Sequence, residues 1–540
     1  MTTPAFDLNS EPWIRTRLRT GEISELSLTE IITRAHNCVS LAGELPTQDF
    51  AVLRLLLAII RRSHPDAANA EAWSELWERG AFNPEPIALY LDQHHDRFDL
   101  LHPETPFYQV AGLSTAKGAM TDLARLVADV PAGHQFFTTR AGRALTSMDL
   151  AEAARWIVHC QAFDPSGIKS GALGDDRVKG GKGYPIGVAW CGWLGGIVVE
   201  GASLFHTLML NLPLGSRLDS ATPDLPVWER PPQIAAAEGR LAPSGPVDLL
   251  TWQSRRIRLG HDGQRATDVL IANGDPLHPR NMFHHEYMTG WRRSEAQEKA
   301  QGSSDPIFMP RQHQPGRALW RGLDALIAEA GNAHSPMTSK PGRWLEWLAE
   351  LRQKHHLPRD LPVRIRAVGM HYGSQSAVTD DIADDALALS VAVLSSRGAK
   401  ALALDAVRDA DAAVRAVASL AGELAEAAGA DPTAFRSRAF DQGYAALDYR
   451  YRRWVSTLSS ETERDQVRAA WQNEVRQTLV RLGRDLVGNA GQAAWIGREV
   501  NRGNDHTLYL DAAMAENSFH HRLRQALPLA YPRPREGASA

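Results

Sequence analysis

Cysteine is nearly absent from this 540-residue chain: Cys38, Cys160 and Cys191 are the only ones, and no two form a C-x-x-C pair. That excludes a disulfide framework and a cysteine-based zinc site, and fits a reducing compartment. Long apolar runs are missing too. The longest, AVLRLLLAII from Ala51, is broken by Arg54 and too short to cross a bilayer, so it reads as a buried helix and no membrane association is expected. The start, MTTPAFDLNSEPW, has neither the basic nor the apolar region of a secretory signal, which leads to a cytoplasmic expectation. A strong excess of positive charge is also lacking. The formal net charge of −4 does not describe a free-standing nucleic-acid binder, although a local basic groove on a near-neutral body stays open.

Catalytic signatures are scarce. Gly181-Lys182 is followed by Gly183 rather than Ser or Thr, and the glycine needed five residues earlier is Asp176, so there is no P-loop. Gly181-x-Gly183 runs on to Ile186 and fails the dinucleotide pattern. Neither H-E-x-x-H nor G-x-S-x-G occurs. Eight of the twenty histidines form four doublets, at 94–95, 284–285, 355–356 and 520–521, but adjacent side chains point to different faces and rarely chelate one ion. His95-Asp96 is a partial match to metal-dependent HD phosphohydrolases. No metal, no cofactor and no catalytic set is expected.

What is present is a chain of ordinary globular composition, 44% apolar and 23% charged, long enough for several domains. Ser27-Leu-Thr-Glu30 is a capping box, and a second helix runs from about Pro46-Thr47 to Arg62. Between about 100 and 375 short apolar runs such as IGVAWCGWLGGIVVEG and ATDVLIANG read as strands between Pro- and Gly-rich turns. After Thr379 the sequence becomes alanine-rich and reads as helical. Val407, Ala410, Val414, Val417, Leu420 and Leu424 form one helical stripe ending at Gly429. Asp431-Pro432 opens the next helix, Ser460-Glu-Thr-Glu463 reads as a capping box for a third, and a last helix spans roughly 506–526. The fold expected is α+β: a large mixed α/β domain over 1–375, an antiparallel four-helix bundle over 376–530, and a flexible tail, 531–540.

One stretch stands apart. FDPSGIKSGALGDDRVKGGKGYPIG, Phe163 to Gly187, is rich in glycine and carries Lys169, Arg177, Lys179 and Lys182. Such a loop suits close approach to a phosphate chain or a duplex edge. The plainer alternative is a solvated surface loop. Further on, Gly373-Ser374-Gln375-Ser376 ends an apolar, basic strand. A glutamine amide there both donates and accepts, as intrusion into a base stack needs; an ordinary interdomain turn is the alternative.

Four stretches in register give a resemblance. EPWI (Glu11–Ile14), FDPSGIKSG (Phe163–Gly171), LLTWQSRRIRL (Leu249–Leu259) and GMHYGSQSA (Gly369–Ala377) are similar, in order and spacing, to motifs of the CasA family. These are the large subunits of type I-E CRISPR Cascade. The resemblance implies a non-catalytic subunit of an RNA-guided complex, with double-stranded DNA, the guide RNA 5′ end, other Cascade subunits and a recruited nuclease-helicase as partners. It implies that Ser166, Gly167, Ile168 and Lys169 approach the minor groove of the short PAM. Ser374, Gln375 and Ser376 would wedge open the first base pairs, and Phe136, Phe137 and Thr138, in HQFFTTRAGRA, would dock near the guide. The family's lysine finger has no counterpart, since no lysine lies between Lys182 and Lys299; Arg265, in GHDGQRA, is the substitute. The rival readings are a metal-dependent HD-type phosphohydrolase and a protein-only scaffold.

Overall fold

The computed structural model describes residues 4–128, 130, 145–212, 222–240, 242–327, 338–501 and 507–531. Phe136, Phe137, Thr138 and residues 532–540 lie outside them. The chain divides into two compact units. One holds Met1–Leu319, Ala328–Leu357 and Val363–Ala386; the other holds Trp320–Ile327, Pro358–Pro362 and Leu387–Ala540.

The first unit is built from small sheets around buried helices. β1 (Ile14–Leu18) lies between β2 (Ile23–Leu26) and β3 (Cys38–Leu41), antiparallel to both. α1 (Leu28–Thr33) starts at the expected capping box, with Ser27 Oγ accepting from the Glu30 amide (3.2 Å) and Glu30 from the Ser27 amide (3.1 Å). α2 (Pro46–Ser63) opens with a first-turn proline and is buried on all sides through its middle, Arg54 included. A buried guanidinium has to be paired, and Arg54 donates to Glu286 (3.1 Å) and to the Leu249 carbonyl (3.3 Å). α3 (Leu150–Phe163) packs beside α2.

Five further strands and a long hairpin frame the glycine loop and the glutamine turn. β4 (Lys169–Ser170) pairs with β5 (Lys182–Gly183). β6 (Gly196–Glu200) pairs antiparallel with β9 (Pro362–Tyr372), which also pairs with β10 (Thr379–Ser390). β7 (Arg255–His261) and β8 (Arg265–Asn273) form a long hairpin. Two expectations change here. Only Gly196–Glu200 of IGVAWCGWLGGIVVEG is strand; Trp190–Trp193 is a 3-10 turn whose amides bond locally, Gly192 to Ala189 and Leu194 to Cys191. The stretch after Thr379 begins as β10 rather than helix, because ladder partners on β9 outweigh the helix propensity of its alanines and leucines.

The second unit is an up-down-up-down bundle of α4 (Arg397–Ala428), α5 (Pro432–Val455), α6 (Arg464–Gly488) and α7 (Ala512–Ala526). Tyr444 Oη donates to Asp411 and Tyr451 Oη to the Ala403 carbonyl, so contacts advance on α5 as they retreat on α4. Arg468 grips buried Asp409 with two bonds (3.0 and 2.9 Å) and sets α6 against α4. Trp320, Tyr451 and Trp471 form its aromatic centre. Gly429 (φ +82°) and the Asp431 cap end α4 and begin α5 as expected. Ser460 does not cap α6: its amide and hydroxyl bond Asp360 (2.8 and 3.1 Å), and the helix starts at Arg464. The last helix is shorter than 506–526 because β11 (Arg498–Asn501) and β12 (Thr507–Leu510) pair ahead of it.

Candidate nucleic-acid interface

The glycine loop begins where α3 stops. Asp164, buried at 6% exposure, receives Arg255 Nε at 2.5 Å and Lys169 Nζ at 2.6 Å. Burial by itself would raise its carboxyl, but Lys169 and Arg255 together hold it below the usual carboxylate range. The Arg255 guanidinium also donates to the carbonyls of Asp164, Pro165 and Gly187 (3.2, 3.1 and 2.9 Å). The loop is therefore clamped from within by a buried arginine on β7. The Lys169 ammonium lies inside this clamp, so what 166–169 presents outward is the half-buried Gly167 and the Ile168 side chain, 56% exposed.

Gly167 has φ +126°, a region that side chains rarely adopt, and a Cβ there would meet only the Ala377 Cβ, at 3.8 Å. Gly171 is needed for a different reason. Its Cβ would fall 2.6 Å from the Gly181 backbone, because the two legs of the β4–β5 hairpin touch.

The glutamine turn is the second element. Gly373 N–H donates to the Val378 carbonyl (2.9 Å) and Ser376 N–H to Gly373 (2.9 Å). Gln375 (φ +55°) and Ser376 (φ +54°) are successive left-handed residues without being glycine. Each such conformation costs about 1–2 kcal/mol, the kind of backbone strain that clusters at functional sites. Ser374 and Gln375 are exposed and Ser376 half-buried.

The structure joins the two elements. Ser166 N–H donates to the Ser376 carbonyl at 2.8 Å, and Tyr372 Oη donates to the Phe163 carbonyl at 2.7 Å. A cavity of about 240 Å³ opens where they meet, walled by Ser166–Lys169 on one side and Ala377–Thr379 on the other. His159 and Cys160 also line it; burial drives His159 down to about 3 and pushes the Cys160 thiol far up, so neither is charged at neutral pH.

Arg265 is not brought to this place. Its guanidinium binds Asp149 and Ser147 Oγ (2.8 Å) at the N-terminal end of α3, whereas the glycine loop follows the C-terminal end. A helix of that length separates them by roughly 20 Å. The residue that sequence reasoning missed is Arg255. The available signal was Arg255-Arg256, two adjacent arginines opening an apolar strand, which demand buried partners.

His95 and Asp96 sit exposed on a 3-10 turn and face each other (2.8 Å). Among the described residues no group of three or more His, Cys, Asp or Glu side chains is gathered as a metal ion would require, and no helix is long and apolar enough to cross a membrane. Of the bundle arginines, Arg436, Arg450 and Arg452 pair with Glu426, Glu474 and Asp448, Arg476 lies over the Tyr531 ring, and Arg438 and Arg453 are exposed.

The sequence profile of the family described as CRISPR-associated protein Cse1 matches residues 7–482. The chain belongs to the Cse1, or CasA, family. The crystal structure of Thermobifida fusca Cse1 is similar over 98% of this chain and 99% of that one, with 44% identity and a TM-score of 0.89. Cse1 from Acidimicrobium ferrooxidans is 28% identical with a TM-score of 0.80, over 98% of both chains. CasA/Cse1 of Thermus thermophilus is 28% identical over 332 residues, an alignment covering 60% of this chain and 61% of that protein; the chain thus spans about three fifths of this curated relative. A chain of a CRISPR RNA-guided surveillance complex shares the fold, at 19% identity and a TM-score of 0.61 over 89% of this chain and 99% of that one.

Proposed function

We propose that this Cse1-family chain is the large, non-catalytic subunit of a type I-E CRISPR RNA-guided complex. In this reading it recognises the PAM in double-stranded DNA, begins strand opening and R-loop formation, and helps recruit the nuclease-helicase. Family membership supports the assignment, as does the shared fold with a chain of a CRISPR RNA-guided surveillance complex. The observation that carries it is the Ser166–Ser376 hydrogen bond. It ties the loop suited to the minor groove to the exposed Gln375, so that seating one positions the other. Unstacking a base step costs a few kcal/mol, and a wedge held in place before DNA arrives adds no ordering cost to that sum.

Two residue roles change within this reading. Lys169 acts by folding the loop, through Asp164, and only its backbone faces DNA. Arg265 has no part, being tied to Asp149. Phe136, Phe137 and Thr138 remain the proposed contact near the guide RNA 5′ end and neighbouring subunits.

Gln375→Ala tests the wedge in the assembled complex. R-loop formation on an intact PAM-bearing duplex is expected to slow about tenfold or more. On DNA whose first target pairs are already mismatched, the rate should return to within about twofold of wild type, since the substrate supplies the opening. Negative supercoiling should rescue the variant in part. An equal defect on both substrates removes the wedge role.

A further inference from the structure

The second half of the glycine-rich run folds into a hairpin. Between β4 and β5 the chain turns through Lys179-Gly180-Gly181-Lys182. The two lysines exchange both backbone hydrogen bonds, at 3.1 Å each. Gly180 (φ +58°) and Gly181 (φ +72°) supply the two successive left-handed residues of a type I′ hairpin turn. A Cβ built on either glycine meets nothing within 4 Å, so the tip stands clear of the rest of its unit.

Charge singles out the same two residues. Of the four cations in this run, Lys169 is neutralised at Asp164 and Arg177 chelates Asp175 (2.9 and 2.8 Å). Lys179 and Lys182 are exposed and make no ion pair among the described residues. Residue choice agrees. The chain holds 59 Lys and Arg, only eight of them Lys, yet three of those eight fall between 169 and 182. Lysine offers a hydrated point charge, suited to a phosphate but not to bidentate reading of a base edge. The tip is also held in place. Gly171 N–H donates to the Gly181 carbonyl (3.1 Å), and Asn273 Nδ2 donates to the Tyr184 carbonyl (2.7 Å) just beyond β5.

We propose that the Lys179–Lys182 hairpin tip is a sequence-independent clamp on the phosphate backbone of the duplex whose minor groove meets the neighbouring Gly167 loop. The inference rests on the DNA-reading function proposed above and adds a separate contact to it. The loop supplies PAM preference, and the hairpin supplies affinity and registers the duplex without reading it.

The test measures binding of the assembled complex to PAM-bearing and PAM-less duplexes across a salt series. Each phosphate contact contributes about −0.9 to the slope of log K against log salt. Lys179→Ala/Lys182→Ala should flatten that slope by about 2 and weaken both duplexes by the same factor, on the order of tenfold, leaving PAM preference unchanged. Lys179→Arg/Lys182→Arg should restore the wild-type slope. An unchanged slope in the alanine variant, a changed PAM preference, or failure of the arginine variant to rescue overturns the clamp. Loss of another protein subunit with the DNA slope intact overturns it in favour of an acidic protein partner. Gly167→Trp in the same series keeps the two readings apart. If that variant loses PAM preference while the lysine variant matches wild type, only the clamp falls; if the wild-type complex shows no PAM preference at all, the underlying function falls.

Discussion

At the scale of single residues, the proposed interface depends on backbone that most side chains cannot adopt and on buried charges that hold it. Gly167 illustrates the first. Its surroundings leave room for a Cβ, but φ +126° lies where side chains are rarely found and penalises any of them by about 1–3 kcal/mol. Gly167→Trp therefore combines a conformational cost with bulk, and Gly167→Ala carries the cost with little bulk. Both variants should melt a few degrees below wild type. Only the tryptophan should reduce binding of PAM-bearing duplex strongly, by tenfold or more, in titrations with the assembled complex. Equal binding losses would mean that strain, and not occlusion of the groove, is what DNA senses. The glycine was visible in the sequence; Asp164 and Arg255, which hold it, were not. Their pairing spans 91 positions and forms only when α3 and β7 come together.

At the scale of elements, α2 meets the β6–β9–β10 sheet through a cluster of opposed charges. Asp49 on α2 lies with Glu200, Asp384 and Arg366, and its carboxyl accepts the Gly43 amide at 2.7 Å. Burial first, then Asp384 and Glu200, outweigh the amide and Arg366 and raise Asp49 to about 6 from 3.8. The folded protein thus holds a proton here that the unfolded chain has released, so stability falls as pH rises between about 4 and 6. Ionised Asp49 is a liability at neutral pH. Asp49→Asn keeps the acceptor for Gly43 and should stabilise by on the order of 1–3 kcal/mol at pH 7.5, with the gain fading to nothing near pH 4. Thermal melts of both proteins across pH 4–8 read this directly. A gap that stays constant with pH would show that titration of Asp49 is not its source. Element boundaries show why local reading goes only so far. The capping box at Ser27 formed because no long-range partner competes for it, whereas the similar pattern at Ser460 gave way to Asp360, 100 positions away.

At the scale of the whole molecule, the proposed function is recognition, with destruction of DNA left to a recruited enzyme. The purified chain, with or without divalent metal, should hydrolyse neither nucleotides nor DNA above a buffer control. Metal-dependent cleavage abolished by His95→Ala would restore the phosphohydrolase reading. Expressed with its neighbours, the chain should co-elute with a short RNA and several other proteins. Salt-insensitive binding of those proteins without nucleic acid would favour a scaffold instead.

The sequence by itself determined whatever depends on neighbours a few residues apart. The bundle helices, the stop at Gly429 and the start at Asp431, the Ser27 cap and the left-handed demands of the glycine loop all follow from periodicity and local backbone sterics. The four co-linear motifs, and with them family membership, belong to the same level. Only the tertiary structure decided which charges remain available. Four cations in one 14-residue stretch look equivalent in sequence, yet Lys169 sits at Asp164, which the distant Arg255 also pins, Arg177 is held both by Asp175 and by the carbonyls of the distant Asn273 and Gly274, and Lys179 and Lys182 are left on an open turn. It likewise placed Arg265 at the other end of α3 from the glycine loop, and joined Ser166 to Ser376 across 210 positions. The physical reason is that a charge or a backbone amide is satisfied by whatever lies within about 3 Å of it, and only a folded chain sets such distances between residues far apart in sequence.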